Sequence, residues 1–135
     1  MRYRIIEMNS IKGKFALVTG GTQGLGAAIA KNFADSGAEG VVTIGRKEDK
    51  GNQVAKKIQD ETGCKVIFVK TDLGEVQECR SAVSVAKQEF GRLDVLVNAA
   101  GITDRGDIVN TSEELFDKMI GTNLKGPYFL IAIFS

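Results

Sequence analysis

Residues Thr19-Gly20-Gly21-Thr22-Gln23-Gly24-Leu25-Gly26 separate an apolar run, Phe15-Ala16-Leu17-Val18, from a helix-forming segment. A Gly-x-x-x-Gly-x-Gly spacing at a strand-to-helix junction suits pyrophosphate binding. Gly20 lets the chain turn sharply off the strand. Gly24 gives phosphate oxygens a path to backbone N–H groups, and Gly26 permits close helix-to-strand packing. The helix start adds unpaired N–H donors and the positive end of its dipole. Thr22 adds a hydroxyl. A triphosphatase loop would end in Gly-Lys-Ser/Thr, whereas Gly26 is followed by Ala27-Ala28.

Other chemistries are excluded by composition. His is absent, which removes Ser-His-Asp and Cys-His catalysis and most zinc sites. Cys64 and Cys79 lack metal-ligand spacing, so no metal is expected, and both read as small buried hydrophobes of a reducing compartment. Lys+Arg 18 against Asp+Glu 17 gives a net charge of +1, without the basic excess that draws nucleic acid or anionic membrane. The segment Met1 to Ser10 carries Arg2, Arg4 and Glu7 around Ile5-Ile6, too short an apolar core for a signal peptide. No apolar run approaches the ~20 residues of a membrane span. A cytoplasmic location is expected.

The elements that must position the loop alternate strand and helix. Strands are expected at Phe15 to Val18, Val41 to Ile44, Val66 to Val69 and Val95 to Val97. A helix from about Gly24 to Ser36 would place Leu25, Ile29 and Phe33 on one face. A second, Asn52 to Thr62, would turn Val54, Ala55 and Ile58 inward. In the third, Val76, Cys79, Val83, Ala86 and Phe90 recur at helical spacing before Gly91. After a polar loop, Thr111 with Glu114 forms a capping-box signature. The last helical stretch contains Pro127, which predicts a kink or a restart. Strands joined through helices imply right-handed βαβ units and a parallel sheet covered on both faces.

With these motifs in place, the sequence resembles the single-domain branch of the short-chain dehydrogenase/reductase family. The extended branch, with Gly-x-x-Gly-x-x-Gly, does not fit. Beyond Thr19-Gly20-x-x-x-Gly24-x-Gly26, the resemblance rests on three further motifs: Asp72-Leu73, Asn98-Ala99-Ala100-Gly101, and Asn123-Leu124-Lys125-Gly126. It implies a Rossmann-like doubly wound parallel sheet of strand order 3-2-1-4, with residues 1–135 a single, incomplete dinucleotide-binding domain. Cofactor contacts are then implied at Gly20, Thr22, Gln23, Gly24, Leu25, Gly26, Arg46, Asp72, Leu73, Asn98, Ala99 and Gly101. Asn123 is implied to hold a helix kink and a water of the proton relay. By residue type alone, Asp72 equally suits a helix cap, Asn98 a turn, and Asn123 a solvent-facing position.

The second strand's end distinguishes the two nicotinamide cofactors. NAD-selective sites place a carboxylate there to accept from the ribose 2′-OH. This chain reads Ile44-Gly45-Arg46-Lys47, and Arg46 can pair with a 2′-phosphate through its planar fork. NADP is therefore expected over NAD, the alternative being that Arg46 and Lys47 form an ordinary solvated loop.

The resemblance also implies a catalytic Ser and a Tyr-x-x-x-Lys pair. Tyr3 is followed four residues later by Glu7, and Tyr128 by Ala132, so neither fits. Of the implied catalytic set only Asn123 is present. The expectation is the NADP(H)-binding part of an oxidoreductase that moves hydride between the nicotinamide and a small alcohol or carbonyl substrate. The alternatives are a dinucleotide-binding module without turnover, or a structural fragment. The fourth strand at a sheet edge and the apolar stretch Tyr128 to Phe134 predict burial by further sequence or by a partner, and the resemblance implies a homo-oligomer.

Overall fold

The computed structural model describes residues 10–135. The reading of Met1 to Asn9 as lacking a signal-peptide core lies outside the described residues, as does Tyr3. Four strands, β1 (Phe15–Thr19), β2 (Gly40–Gly45), β3 (Lys65–Lys70) and β4 (Val95–Val97), form one parallel sheet in the order β3-β2-β1-β4. Helices α1 (Gly24–Asp35), α2 (Glu48–Thr62) and α3 (Val76–Phe90) make the crossovers. After β4 come α4 (Glu113–Ile120), a π-helical turn (Gly121–Lys125) and α5 (Gly126–Phe134). This is the doubly wound sheet expected.

Neighbouring strand residues serve opposite faces. Val18 and Val41 pack with Ala30, Ala34, Ala55 and Ile58 beneath α1 and α2. Leu17 and Val42 pack with Cys79, Ala82, Val83 and Leu130 beneath α3 and α5. Alternate Cβ directions along each strand produce this division. Each large side chain so buried contributes roughly 1.5–3 kcal/mol. No helix among the described residues is long and apolar enough to cross a membrane.

Several local expectations are corrected. Of the α1 residues Leu25, Ile29 and Phe33, the last two pack against the core while Leu25 is 69% exposed. The buried stripe of α1 is Gly26, Ala30 and Ala34, because only small residues let the helix approach the sheet this closely. Helix α2 begins at Glu48, four residues before the expected start. Gly51 weakens the sequence signal there, yet it is required: a Cβ at Gly51 would lie 2.3 Å from the Phe68 ring. The cap of α4 is Ser112, whose Oγ accepts from the Leu115 amide at 3.1 Å. Thr111 instead donates to the Asp107 carbonyl at 2.7 Å. Ahead of Pro127 the helix widens, and the Gly126 amide donates to the Gly121 carbonyl five residues back. A wide turn accommodates a proline that has no N–H to give. The apolar end is half solved internally: Leu130 is buried in the α3 cluster, while Tyr128 and Ile131 stay exposed.

Candidate dinucleotide site

The β1–α1 junction is built to leave donors open. The Gly20 amide still donates to the Ile44 carbonyl at 2.9 Å, extending the sheet by one bond. The chain then turns, with Gly20 at φ 72 and Gly24 at φ 58. A Cβ at Gly26 would stand 2.2 Å from the Gly20 carbonyl oxygen, so only glycine allows this approach. A Cβ at Gly24 would meet nothing within 4 Å; that space is open to a ligand.

The helix start is electrostatically distinct. Four helices, α1 to α4, begin from extended backbone. Of these, α1 alone has neither a side-chain cap nor an acidic residue in its first turn. Its first bond runs from the Ala27 amide to the Gln23 carbonyl at 3.4 Å. The amides of Gly24, Leu25 and Gly26 therefore precede the helical ladder, and among the described residues none has a partner. Unpaired amides at the positive end of a helix dipole favour an anion.

A groove of about 340 Å³ opens at this point, at the carboxyl ends of the strands. It brings together ten of the residues implied above: Gly20, Thr22, Gln23, Gly24, Leu25, Gly26, Arg46, Leu73, Ala99 and Gly101. Thr22 is nearly buried, and Leu73 is 5% exposed. Asp72 lies apart, in an adjoining cavity that shares Arg46 and Thr122 with the first. Its Oδ1 accepts from the Gly74 amide at 2.9 Å, making a turn ahead of α3 rather than a cap on it. Asn98 lines neither cavity.

Asn123 is not a free solvent-facing side chain. Its Oδ1 accepts from the Ile102 amide at 2.8 Å and its Nδ2 donates to the Ile102 carbonyl at 2.7 Å. The carboxamide thus fastens the π-helical turn to the loop after β4, and Ile102 lines the groove. The wide turn puts Asn123 in register for this pairing.

Sequence reasoning missed Thr19. Thr19 is 1% exposed, and its hydroxyl accepts from both the Ala99 and Ala100 amides, at 3.0 and 2.9 Å. It holds the β4 loop against the glycine loop and fixes the groove's width. Being the first residue of the glycine motif was its only signal. Thr71, Lys47, Gly45, Ala100, Ile102 and Thr122 also line the groove without having been singled out for it. Both cysteines are buried, and loss of solvation pushes their thiols up, away from the reactive thiolate. No cluster suited to a metal ion occurs among the described residues.

A family model described as short chain dehydrogenase matches residues 14–135. The chain belongs to the short-chain dehydrogenase family. Among curated relatives, an uncharacterized oxidoreductase of Staphylococcus saprophyticus is 36% identical over 124 residues, covering 92% of this chain and 53% of that protein. A 3-oxoacyl-(acyl-carrier-protein) reductase of Chlamydia muridarum is 40% identical over 122 residues, covering 90% and 49%. This short-chain dehydrogenase chain thus spans about half the length of the curated relatives it matches. A solved short chain dehydrogenase of Burkholderia cenocepacia, in complex with NADP, superposes with a TM-score of 0.86 at 33% identity, covering 93% of this chain and 51% of that one. The L-sorbose reductase of Gluconobacter frateurii, complexed with NADPH and L-sorbose, gives a TM-score of 0.86 at 27% identity, covering 93% and 49%.

Proposed function

We propose that this chain binds a nicotinamide dinucleotide, NADP(H) in preference to NAD(H), as the cofactor-holding part of a short-chain oxidoreductase. The observation that carries the proposal is the α1 start: three partnerless amides, open space at Gly24, and Arg46 on the same groove. The amides of Gly24, Leu25 and Gly26 take the pyrophosphate, and Thr22 flanks it. Arg46 takes the ribose 2′-phosphate through paired N–H donors. Leu73, Ala99 and Gly101 wall the adenosine side, with Asp72 and Asn98 at its margin. The NADP and NADPH complexes of the similar structures support this assignment.

The bound nicotinamide supplies hydride chemistry, exchanged with an alcohol or carbonyl carbon. This chain's own share is binding and orientation. Asn123 holds the Ile102 backbone, and with it one wall of the groove. A dinucleotide-binding module without turnover is the second reading. Binding of NADPH with no oxidation of it by carbonyl substrates would select that reading. The exposed stripe Phe116, Ile120, Leu124, Tyr128 and Ile131 supports self-association, and reduced buried thiols suit the cytoplasm.

Titration with NADPH and NADH tests the proposal. Arg46→Asp is expected to weaken NADPH binding about 10- to 100-fold, the range of a lost charge-assisted contact, with NADH nearly unchanged. Equal loss for both would reject Arg46 as the discriminating residue.

A further inference from the structure

The π-helical turn starts at Gly121 and closes on Gly126. Neither glycine is needed for the backbone, since Gly121 (φ -58, ψ -50) and Gly126 (φ -57, ψ -57) are ordinary right-handed helix. Inside a helix glycine is less favourable than alanine, so the reason for both lies in packing. A Cβ at Gly126 would lie 2.6 Å from the Leu73 carbonyl oxygen, and one at Gly121 would lie 3.2 Å from Gly74 Cα. The turn therefore rests, at both ends, on two consecutive residues of the β3–α3 loop. That loop is itself fixed, because Asp72 Oδ1 accepts from the Gly74 amide at 2.9 Å. Midway along the turn, Asn123 pairs with the Ile102 backbone through both polar atoms of its carboxamide. Leu73 and Ile102 both line the groove.

We propose that the π-helical turn is a strut joining two parts of the groove lining: Gly121 and Gly126 seat it on Leu73-Gly74, and Asn123 at its centre holds Ile102. Gly126 is the positioning residue and acts through Asn123. An alanine there pushes the turn off the Leu73 carbonyl, a backbone atom that cannot rotate aside, and displaces the carboxamide from the Ile102 backbone. Through the strut, a ligand that orders Leu73 also orders Ile102 without touching it. The seat is independent of any ligand, whereas its bearing on the cofactor rests on the dinucleotide reading above.

The test reads hydrogen exchange of the Ile102 amide by NMR in the purified chain and its variants. Gly126→Ala is expected to speed it about 10-fold, the scale of one lost hydrogen bond, towards the rate in Asn123→Ala. Gly121→Ala, at the looser contact, is expected to give a smaller rise and serves should Gly126→Ala not fold. Leu130→Ala removes packing between α5 and α3; it is expected to lower the urea midpoint and leave Ile102 exchange unchanged. An equal rise in Leu130→Ala, or no rise in either glycine variant, overturns the strut. The adenosine-end probe 2′,5′-ADP is expected to slow Ile102 exchange about 5-fold in the unaltered chain, the low end of coupling between sites, and to have no such effect in Gly126→Ala. If 2′,5′-ADP binds without slowing that exchange, the coupling is overturned. If it does not bind, the dinucleotide reading fails, and the ligand-free comparison decides the strut by itself.

Discussion

At the amino ends of β1 and β4 the polar groups are used up; at the carboxyl ends they are left available. The Asp94 carboxylate accepts from the Phe15 amide at 2.9 Å, and the Asp94 amide donates to the Phe15 carbonyl at 2.8 Å. Arg92 bonds both Asp94 and the Gly13 carbonyl, with its guanidinium 5.0 Å from the centre of the Phe15 ring. Phe15 in turn stacks on Phe90 at 4.9 Å. At the other end of the same strands, Thr19 satisfies two amides of the β4 loop, but three amides of α1 have no partner among the described residues. Charge and apolar stacking close one end, while glycines and an uncapped helix open the other. The difference teaches where to look for a ligand: unmet donors, rather than residue type alone, mark the working end of a parallel sheet.

The comparison can be broken most forcefully at Gly26. Gly26→Ala puts a methyl 2.2 Å from a backbone carbonyl. Alanine's better helix propensity offsets ~1 kcal/mol, against an overpacking cost near the top of the roughly 1–3 kcal/mol range. Urea unfolding should show a net loss, and NADPH binding should disappear because the α1 amides shift. Intact binding would mean the open end does not depend on this close approach.

Thr19→Val comes next. It keeps the shape and strands two amides, at a cost of about 1–3 kcal/mol. NADPH and NADH affinities should fall together, since the change widens the groove without touching the 2′-phosphate. A change confined to NADPH would contradict that account.

The smallest effect belongs to the closed end. The Phe15 amide, with help from Arg92, holds the Asp94 carboxyl below its ordinary value of 3.8. Stability from this contact is complete above that value and is lost as pH falls through the lowered folded one. Asp94→Asn should therefore cost under about 1 kcal/mol at neutral pH, as expected for an exposed group, and should flatten the acid limb of the stability profile. Dinucleotide affinity should not move. An affinity change from Asp94→Asn would show that the two ends are coupled.

The strands, the helices and the groove's glycines were legible because periodicity and spacing are local, whereas the sheet order was implied by the family resemblance. Phe15 to Thr19, the Gly-x-x-x-Gly-x-Gly spacing and the three-four steps of α3 each declare themselves within one segment. The errors arose where a residue's partner lies far along the chain. The start of α2 was read four residues late, at Asn52, with the packing of Gly51 on Phe68 not in view. The small stripe Gly26, Ala30 and Ala34 that meets the sheet was not legible from the spacing of Leu25, Ile29 and Phe33. Thr111 and Ser112 differ only in which hydroxyl the turn at Asp107 claims.

By itself the sequence determined the alternation of strands and helices, the glycine spacing of the β1–α1 junction, and the cation after β2. These follow from side-chain period, glycine spacing and residue charge, which need no neighbour in space. Only the tertiary structure decided that Thr19 grips the β4 loop across 80 positions, that Asn123 holds Ile102 across 21, and that Lys50 reaches Gln23 across 27. Hydrogen bonds form over about 3 Å whatever the chain separation. Such pairs become visible only when packing of the sheet brings their elements side by side.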